Sequence, residues 1–134
     1  HYPLRRQRQM CIRDRYQSYF DFVRENREEA SVSGNIRRLV EENYGNPSLG
    51  LQFLSENLKL SQSYISQLFK QETGTTINQY IISFRIDMAS SQLLKSDRKI
   101  ADIALSCGFP DQNYFTKLFK KCTGMTPSEY RGYV

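Results

Sequence analysis

The chain has 134 residues, of which 39% are hydrophobic and 25% are charged, and its mean hydropathy is −0.62. A chain of this length can bury roughly two-thirds of its unfolded surface, which is enough for a core but excludes a large multidomain enzyme. No apolar run approaches the roughly 18 residues of a membrane span. The three cysteines include no CxxC pair, which argues against a disulfide framework and favours a reducing cytoplasm.

Most of the basic charge lies at the start of the chain. The net charge is +5, and residues 1–15 hold five arginines against Asp14, so +1 remains for residues 16–134. The run QMCIRDR resembles translated adapter sequence, and we expect residues 1–15 to be a non-native or disordered tail. The alternative is a basic arm that binds phosphate.

Residues 16–33 predict a linker helix. Aromatic residues come first (Tyr16, Tyr19, Phe20 and Phe22), charged residues follow, and Ser31, Ser33 and Gly34 predict a break. The exposed aromatic cluster also suggests a second hypothesis, in which the helices of residues 16–44 form a dimerisation or docking module without direct base readout.

The pattern from Ile36 onward is helical throughout and predicts an all-α domain over residues 34–134. A first helix ends near Gly45, and Leu51, Leu54 and Leu58 form a second. The next helices take their limits from capping residues and glycines. They run from Ser61 to Gly74, from Thr76 to about Lys95, from about Lys99 to Gly108, from Asp111 to Gly124, and from Thr126-Pro127 to the end.

The sequence contains an internal repeat. Nine of the twenty residue pairs between positions 61–80 and 111–130 are identical, where chance would give about one. Each copy has the outline of a helix-turn-helix, with a first unit at about residues 48–74, a linker helix at 76–95 and a second unit at about 99–124. A duplicated helical scaffold remains the structural alternative, although solenoids generally need three or more repeats.

The outward faces of the two capped helices are polar and lack acidic residues. Between Ser61 and Gln71, and between Gln112 and Lys121, there is no aspartate or glutamate. Acidic side chains would repel phosphate, whereas Gln and Asn amides match the adenine edge and Lys reaches guanine acceptors in the major groove. A linker helix of about twenty residues spans roughly 30 Å, close to the ~34 Å between successive major grooves on one side of DNA.

These segments resemble the AraC/XylS family of bacterial transcription regulators. The resemblance is carried by SQSYISQLFKQETGTTINQY (61–80), by the Arg85-x-x-x-Ala89 step with Leu93-Leu94, and by KIADIALSCGFPDQNYFTKLFKKCTGMTPSEYR (99–131), and it covers about residues 36–131. It implies a seven-helix domain whose two helix-turn-helix units bind adjacent major grooves of double-stranded DNA.

Base readout is expected from the outward positions of both units: Gln62, Ser63, Ser66, Gln67, Gln112, Asn113, Thr116 and Lys117. Phosphate contacts are expected from the flanking residues Ser61, Tyr64, Lys70, Tyr114, Lys120 and Lys121. The resemblance also implies RNA polymerase as a partner and a sensor or receiver domain upstream of this chain. We expect a cytoplasmic, nucleoid-associated protein with no membrane contact from this segment, and its oligomeric state stays open.

The sequence favours a binding protein over an enzyme. His1, the only histidine, lies in the tail, and no nucleophile–base pair, metal set or phosphate-binding glycine loop is apparent, so we expect no catalytic residue, metal or cofactor. Two positions of the first copy differ from the second copy. Lys59 stands where the second copy has Gly108, and a left-handed conformation of this lysine would cost on the order of 1 kcal/mol. Ser55 replaces alanine, and we expect its hydroxyl to donate to a carbonyl one turn back.

Overall fold

The computed structural model describes residues 31–133, and Tyr133 only in its backbone. Residues 1–30 lie outside the described part, and with them lie the non-native or disordered tail predicted over residues 1–15 and most of the linker helix predicted over residues 16–33. Within the described residues the chain forms seven helices and no strand, which confirms the all-α prediction. They are α1 (Val32–Asn43), α2 (Leu51–Leu58), α3 (Gln62–Thr73), α4 (Ile77–Lys95), α5 (Ile100–Ser106), α6 (Gln112–Thr123) and α7 (Pro127–Tyr133).

Helices α3, α4 and α6 begin at the predicted capping residues, and α3 and α6 end at the predicted glycines. Ser61, Thr76 and Asp111 accept hydrogen bonds from backbone amides of the first turns of α3, α4 and α6. Thr76 and Gln79 form a reciprocal capping box at the start of α4, and Thr126 and Glu129 form the same arrangement at the start of α7. Side-chain caps satisfy amides that a helix leaves without partners, so each helix starts at a defined residue.

The predicted break at Ser31–Gly34 is wrong in its position. Ser31 is the N-cap of α1 and accepts a hydrogen bond from the amide of Gly34, so Ser33 and Gly34 lie within the helix. Ser33 is fully buried, and its hydroxyl donates to a carboxylate oxygen of Glu72 at the end of α3. This tertiary contact binds the first turn of α1 to the first unit.

Two hydrophobic cores share the long helix α4. The first contains Ile36, Val40, Leu49, Leu54, Ile65, Phe69, Ile77, Tyr80 and Ile81. The second contains Ile86, Ala89, Leu93, Ile103, Ala104, Cys107, Phe109, Phe115 and Phe119. The first half of α4 therefore completes one unit and its second half completes the other, with the change of core between Ile81 and Ile86. Tyr80 is buried in the first core, while Tyr130 is partly buried and packs edge-on against Phe119.

Candidate nucleic-acid interface

The turn of the first unit holds a left-handed lysine. Lys59 has φ 58° and ψ 41°, which confirms the conformation considered from the sequence. The prediction for Ser55 is wrong in direction: its hydroxyl donates forward to the carbonyl of Leu60, not back along α2. The physical reason is the left-handed turn, which folds Leu60 back over the end of α2, where its amide also donates to the Ser55 carbonyl at 3.3 Å.

The turn of the second unit uses glycine at the equivalent place. Gly108 has φ 94°, and the next amide, that of Phe109, donates to the Ala104 carbonyl at 2.9 Å. Asp111 then caps α6 through its carboxylate, which accepts from the amides of Asn113 and Tyr114. Both turns therefore deliver the chain to a capped helix, α3 or α6, whose first turn is open to solvent.

The two capped helices present the same face to solvent. Over residues 61–70 and 111–120 the sequence of exposed, partly buried and buried positions is identical. Ile65 and Phe69 are fully buried in one unit, and Phe115 and Phe119 are fully buried in the other. All eight residues predicted to read bases are accessible: Ser66 and Thr116 are partly buried, and Gln62, Ser63, Gln67, Gln112, Asn113 and Lys117 are exposed.

All six residues predicted to contact phosphate are exposed: Ser61, Tyr64, Lys70, Tyr114, Lys120 and Lys121. The Tyr64 and Tyr114 side chains are half-exposed, at 50% and 51%, so both can reach a phosphate. They occupy the first turns of their helices. The Tyr114 ring makes only an edge contact with Phe109, at 6.5 Å between centroids.

The two faces differ in charge although their pattern of exposure is the same. Helix α3 carries Lys70 and Glu72, whereas α6 carries Lys117, Lys120 and Lys121 and no acidic residue. Glu72 lies in the last turn of α3 and is engaged by Ser33. Helix α6 is therefore the more cationic of the two, and positive charge near phosphate is what makes binding to DNA strong and salt-dependent.

A buried arginine joins the two units, and the sequence analysis did not assign it a role. Arg85 on α4 is 8% exposed; its Nε donates to the carbonyl of Tyr44 at 2.9 Å and its Nη2 donates to that of Asn46 at 2.8 Å. Burial lowers the pKa of Arg85, and the nearby Cys107 and Tyr114 oppose that shift. The available signal was a charged residue at the helical step between Ile81 and Ala89, inside an otherwise apolar stripe.

Within residues 31–133 no group of His, Cys, Asp and Glu side chains is placed to hold a metal ion. Burial raises the pKa of both Cys107 and Cys122, so these thiols are poor nucleophiles near neutral pH. No helix among these residues has the length and apolar character to cross a bilayer.

Known proteins share this arrangement. A family model described as a helix-turn-helix domain matches residues 54–133. An uncharacterized transcriptional regulatory protein, YesN of Bacillus subtilis, is 38% identical over 105 residues, which are 76% of this chain and 28% of YesN. The transcriptional activator RhaR of Yersinia pseudotuberculosis is 41% identical over 88 residues, 63% of this chain and 30% of RhaR. The chain thus spans less than a third of the length of these curated relatives.

Solved structures match over most of their own length. The C-terminal domain of the two-component response regulator yesN from Fusobacterium nucleatum is 38% identical, with a TM-score of 0.70 over 72% of this chain and 93% of that one. The C-terminal domain of AraT, a response regulator from Geobacillus stearothermophilus, is 29% identical, with a TM-score of 0.76 over 77% and 85%. The DNA-binding domain of AdpA, solved in complex with a target DNA, shares the fold at 22% identity and a TM-score of 0.71. The helix order, the family match and these relatives together show that the chain belongs to the AraC-type helix-turn-helix family of DNA-binding transcription regulators.

Proposed function

We propose that the chain is the output domain of a longer regulator and that α3 and α6 read two half-sites in successive major grooves of double-stranded DNA. The observation that carries this proposal is the identical pattern of exposure on the two helices, whose outward positions from Gln62 to Gln71 and from Gln112 to Lys121 hold no acidic residue. The exposed Asp111 before α6 is engaged as its N-cap by the amides of Asn113 and Tyr114. Two helix faces with the same exposure and no acidic side chain of their own are suited to binding two similar segments of one polyanion.

The length of α4 supports reading from one side of the duplex. Its 19 residues correspond to about 28 Å of helix. Successive major grooves on one side of B-DNA lie ~34 Å apart. Since each half of α4 belongs to a different core, this helix sets the distance between the two units. A single chain could then bind two half-sites, as a helix-turn-helix dimer does with two chains.

Side-chain chemistry divides the proposed contacts into two groups. In the first unit Gln62, Ser63, Ser66 and Gln67 would face base edges, while Ser61, Tyr64 and Lys70 would contact phosphate. The Ser61 hydroxyl accepts from the Tyr64 amide at 3.1 Å, and its own proton stays available to a phosphate oxygen.

The same division applies to the second unit. Gln112, Asn113, Thr116 and Lys117 would face bases, while Tyr114, Lys120 and Lys121 would contact phosphate. Lys117 lies one turn beyond Asn113 on the same face, where an ammonium group can reach guanine O6 and N7. The two lysines of the last turn, Lys120 and Lys121, would follow the phosphate backbone of the DNA.

The similarity to the relatives supports a proposal for the input domain, location and partner of the full-length regulator. Two of the similar structures are C-terminal domains of response regulators, which favours an upstream receiver domain, with a small-molecule sensor as the other form of input. The regulator would act in the bacterial cytoplasm at the nucleoid, with RNA polymerase as its partner at the promoter.

The test is selection of DNA from a random pool by the 134-residue chain, followed by titration at several salt concentrations. We expect a bipartite site whose affinity falls steeply with salt. An affinity that ignores salt, or an equal affinity for selected and random DNA, would refute the proposal.

Two variants separate base readout from phosphate contact. Lys117→Ala should cost about 1–3 kcal/mol at one base position and relax preference in that half-site alone. Lys120→Ala should weaken binding to all sequences alike and reduce the salt slope by about 0.9. Lys95→Ala, at the end of α4 and outside both capped helices, is the matched control and should change neither quantity.

A further inference from the structure

The point where α4 passes from one core to the other is occupied by Arg85. Ile81 belongs to the first core and Ile86 to the second. The guanidinium is buried between them, where an unpaired charge would be strongly destabilising. Its hydrogen bonds to two backbone carbonyls offset that cost, and bonds from a charged donor are among the stronger ones in proteins.

The partners of Arg85 come from the loop after α1 and from the turn before α6. The carbonyls of Tyr44 and Asn46 belong to the loop that leaves α1, and α1 packs against α3. On the other side the guanidinium carbon lies 5.8 Å from the centre of the Phe109 ring, in the turn that leads directly into α6. The Arg85 side chain therefore contacts both the loop after α1, the helix that packs against α3, and the turn that leads into α6.

The two backbones also meet directly beside Arg85. A methyl group added at Gly45, in the loop after α1, would lie 2.7 Å from the carbonyl oxygen of Ser106 in the second unit. This separation leaves no room for a side chain. At the junction formed by Gly45, Arg85 and the Ser106–Phe109 turn, the two sides are packed against each other. A shift of either side there would therefore move one unit relative to the other.

We propose that Arg85 is a positioning residue that fixes the placement of α6 relative to α3 and so determines which spacing of half-sites the domain accepts. The inference rests on the proposed reading of two half-sites. One base pair added between the two half-sites moves the second half-site about 3.4 Å along the DNA axis and rotates it by about 35° relative to the first. A junction that holds the two units in one arrangement cannot follow such a change, so only one helix can then engage fully.

The experiment compares four probes: the selected site, the site with one base pair added between its halves, the site with one base pair removed, and a single half-site. Arg85→Met removes both hydrogen bonds at similar side-chain length. Gly45→Ala perturbs the same junction from the loop whose carbonyls accept from Arg85, and it keeps the guanidinium itself. Arg131→Met is the matched control, because Arg131 in α7 donates to the carbonyls of Leu93 and Ser96 at 3.0 and 3.1 Å, at the C-terminal end of α4 and away from the junction.

For the unaltered chain and for Arg131→Met, the added or removed base pair should reduce affinity about tenfold or more. For Arg85→Met and Gly45→Ala we expect this penalty to fall to about threefold or less, with affinity for the single half-site unchanged. A full spacing penalty in both junction variants would overturn the inference. Circular dichroism checks folding, and if Arg85→Met does not fold, Gly45→Ala decides the question. If the unaltered chain prefers no spacing at all, the proposed function fails first, and the inference with it.

Discussion

Gly108→Ala should destabilise the domain far more than a normal turn substitution. With φ 94°, an alanine here adopts a left-handed conformation, which costs roughly 1–2 kcal/mol. The added methyl group would also lie 2.4 Å from the Tyr44 carbonyl oxygen and 2.7 Å from Arg85 Nε. To relieve that overlap the hydrogen bond between these two atoms must break, and a bond from a charged donor is worth about 1.5–3 kcal/mol. The expected loss in the free energy of unfolding is therefore roughly 3–5 kcal/mol.

Two substitutions in the first unit separate the backbone cost from the clash. Gly74 has φ 81°, and a methyl group there would meet nothing within 4 Å, so Gly74→Ala should cost only about 1 kcal/mol. Lys59→Gly removes the left-handed cost and should stabilise by about 1 kcal/mol, or raise the Tm by about 4 °C. Urea unfolding followed by circular dichroism measures all three. Equal losses for Gly108→Ala and Gly74→Ala would refute the assignment of a crowded junction.

Two further predictions concern buried groups. Thr123→Val should lower the free energy of unfolding by about 2 kcal/mol, and by more than Thr73→Val does. Both hydroxyls donate to a carbonyl four residues back, but only Thr123 is fully buried, at 2% exposure. Equal losses for the two variants in urea unfolding would contradict this reasoning. Alkylation followed by peptide mass spectrometry should show that Cys107 reacts far more slowly in the native than in the denatured chain, because burial blocks access and a pKa raised by burial leaves less thiolate at any pH below it. Alkylation of native Cys107 at the denatured rate would contradict its placement in the second core.

Features decided by neighbouring residues were predictable from the sequence. The caps at Ser61, Thr76 and Asp111 and the left-handed glycines at Gly74 and Gly108 set helix ends through bonds that span only a few residues. Such local chemistry is legible in one sequence. The internal repeat added long-range information, since it predicted that α3 and α6 share a frame, and the matching exposure of their faces confirms it.

Features decided by distant residues were not predictable. Ser33 and Gly34 are typical of a break, yet α1 continues through them because Ser33 is buried against Glu72, 39 positions further along the chain. Ser55 turned toward Leu60 because the turn geometry at Lys59, not the preceding helix, supplied the acceptor. Arg85 finds its acceptors 41 and 39 positions back in a loop whose course no local pattern reveals.

The shared exposure pattern of α3 and α6 and their difference in charge support unequal roles for the two helices in the proposed binding to DNA. In that proposal three lysines and no acidic residue on α6 would release more counterions from DNA than Lys70 alone could from α3. The second unit should therefore supply most of the salt-dependent affinity. The first unit, with Gln62, Ser63, Ser66 and Gln67, has the chemistry to add sequence preference with little attraction of its own. In this proposal the first unit adds to affinity only while the second unit, bound to the neighbouring half-site, holds it over its own half-site. The contact between the units at Arg85 should therefore affect binding by α3 more than binding by α6.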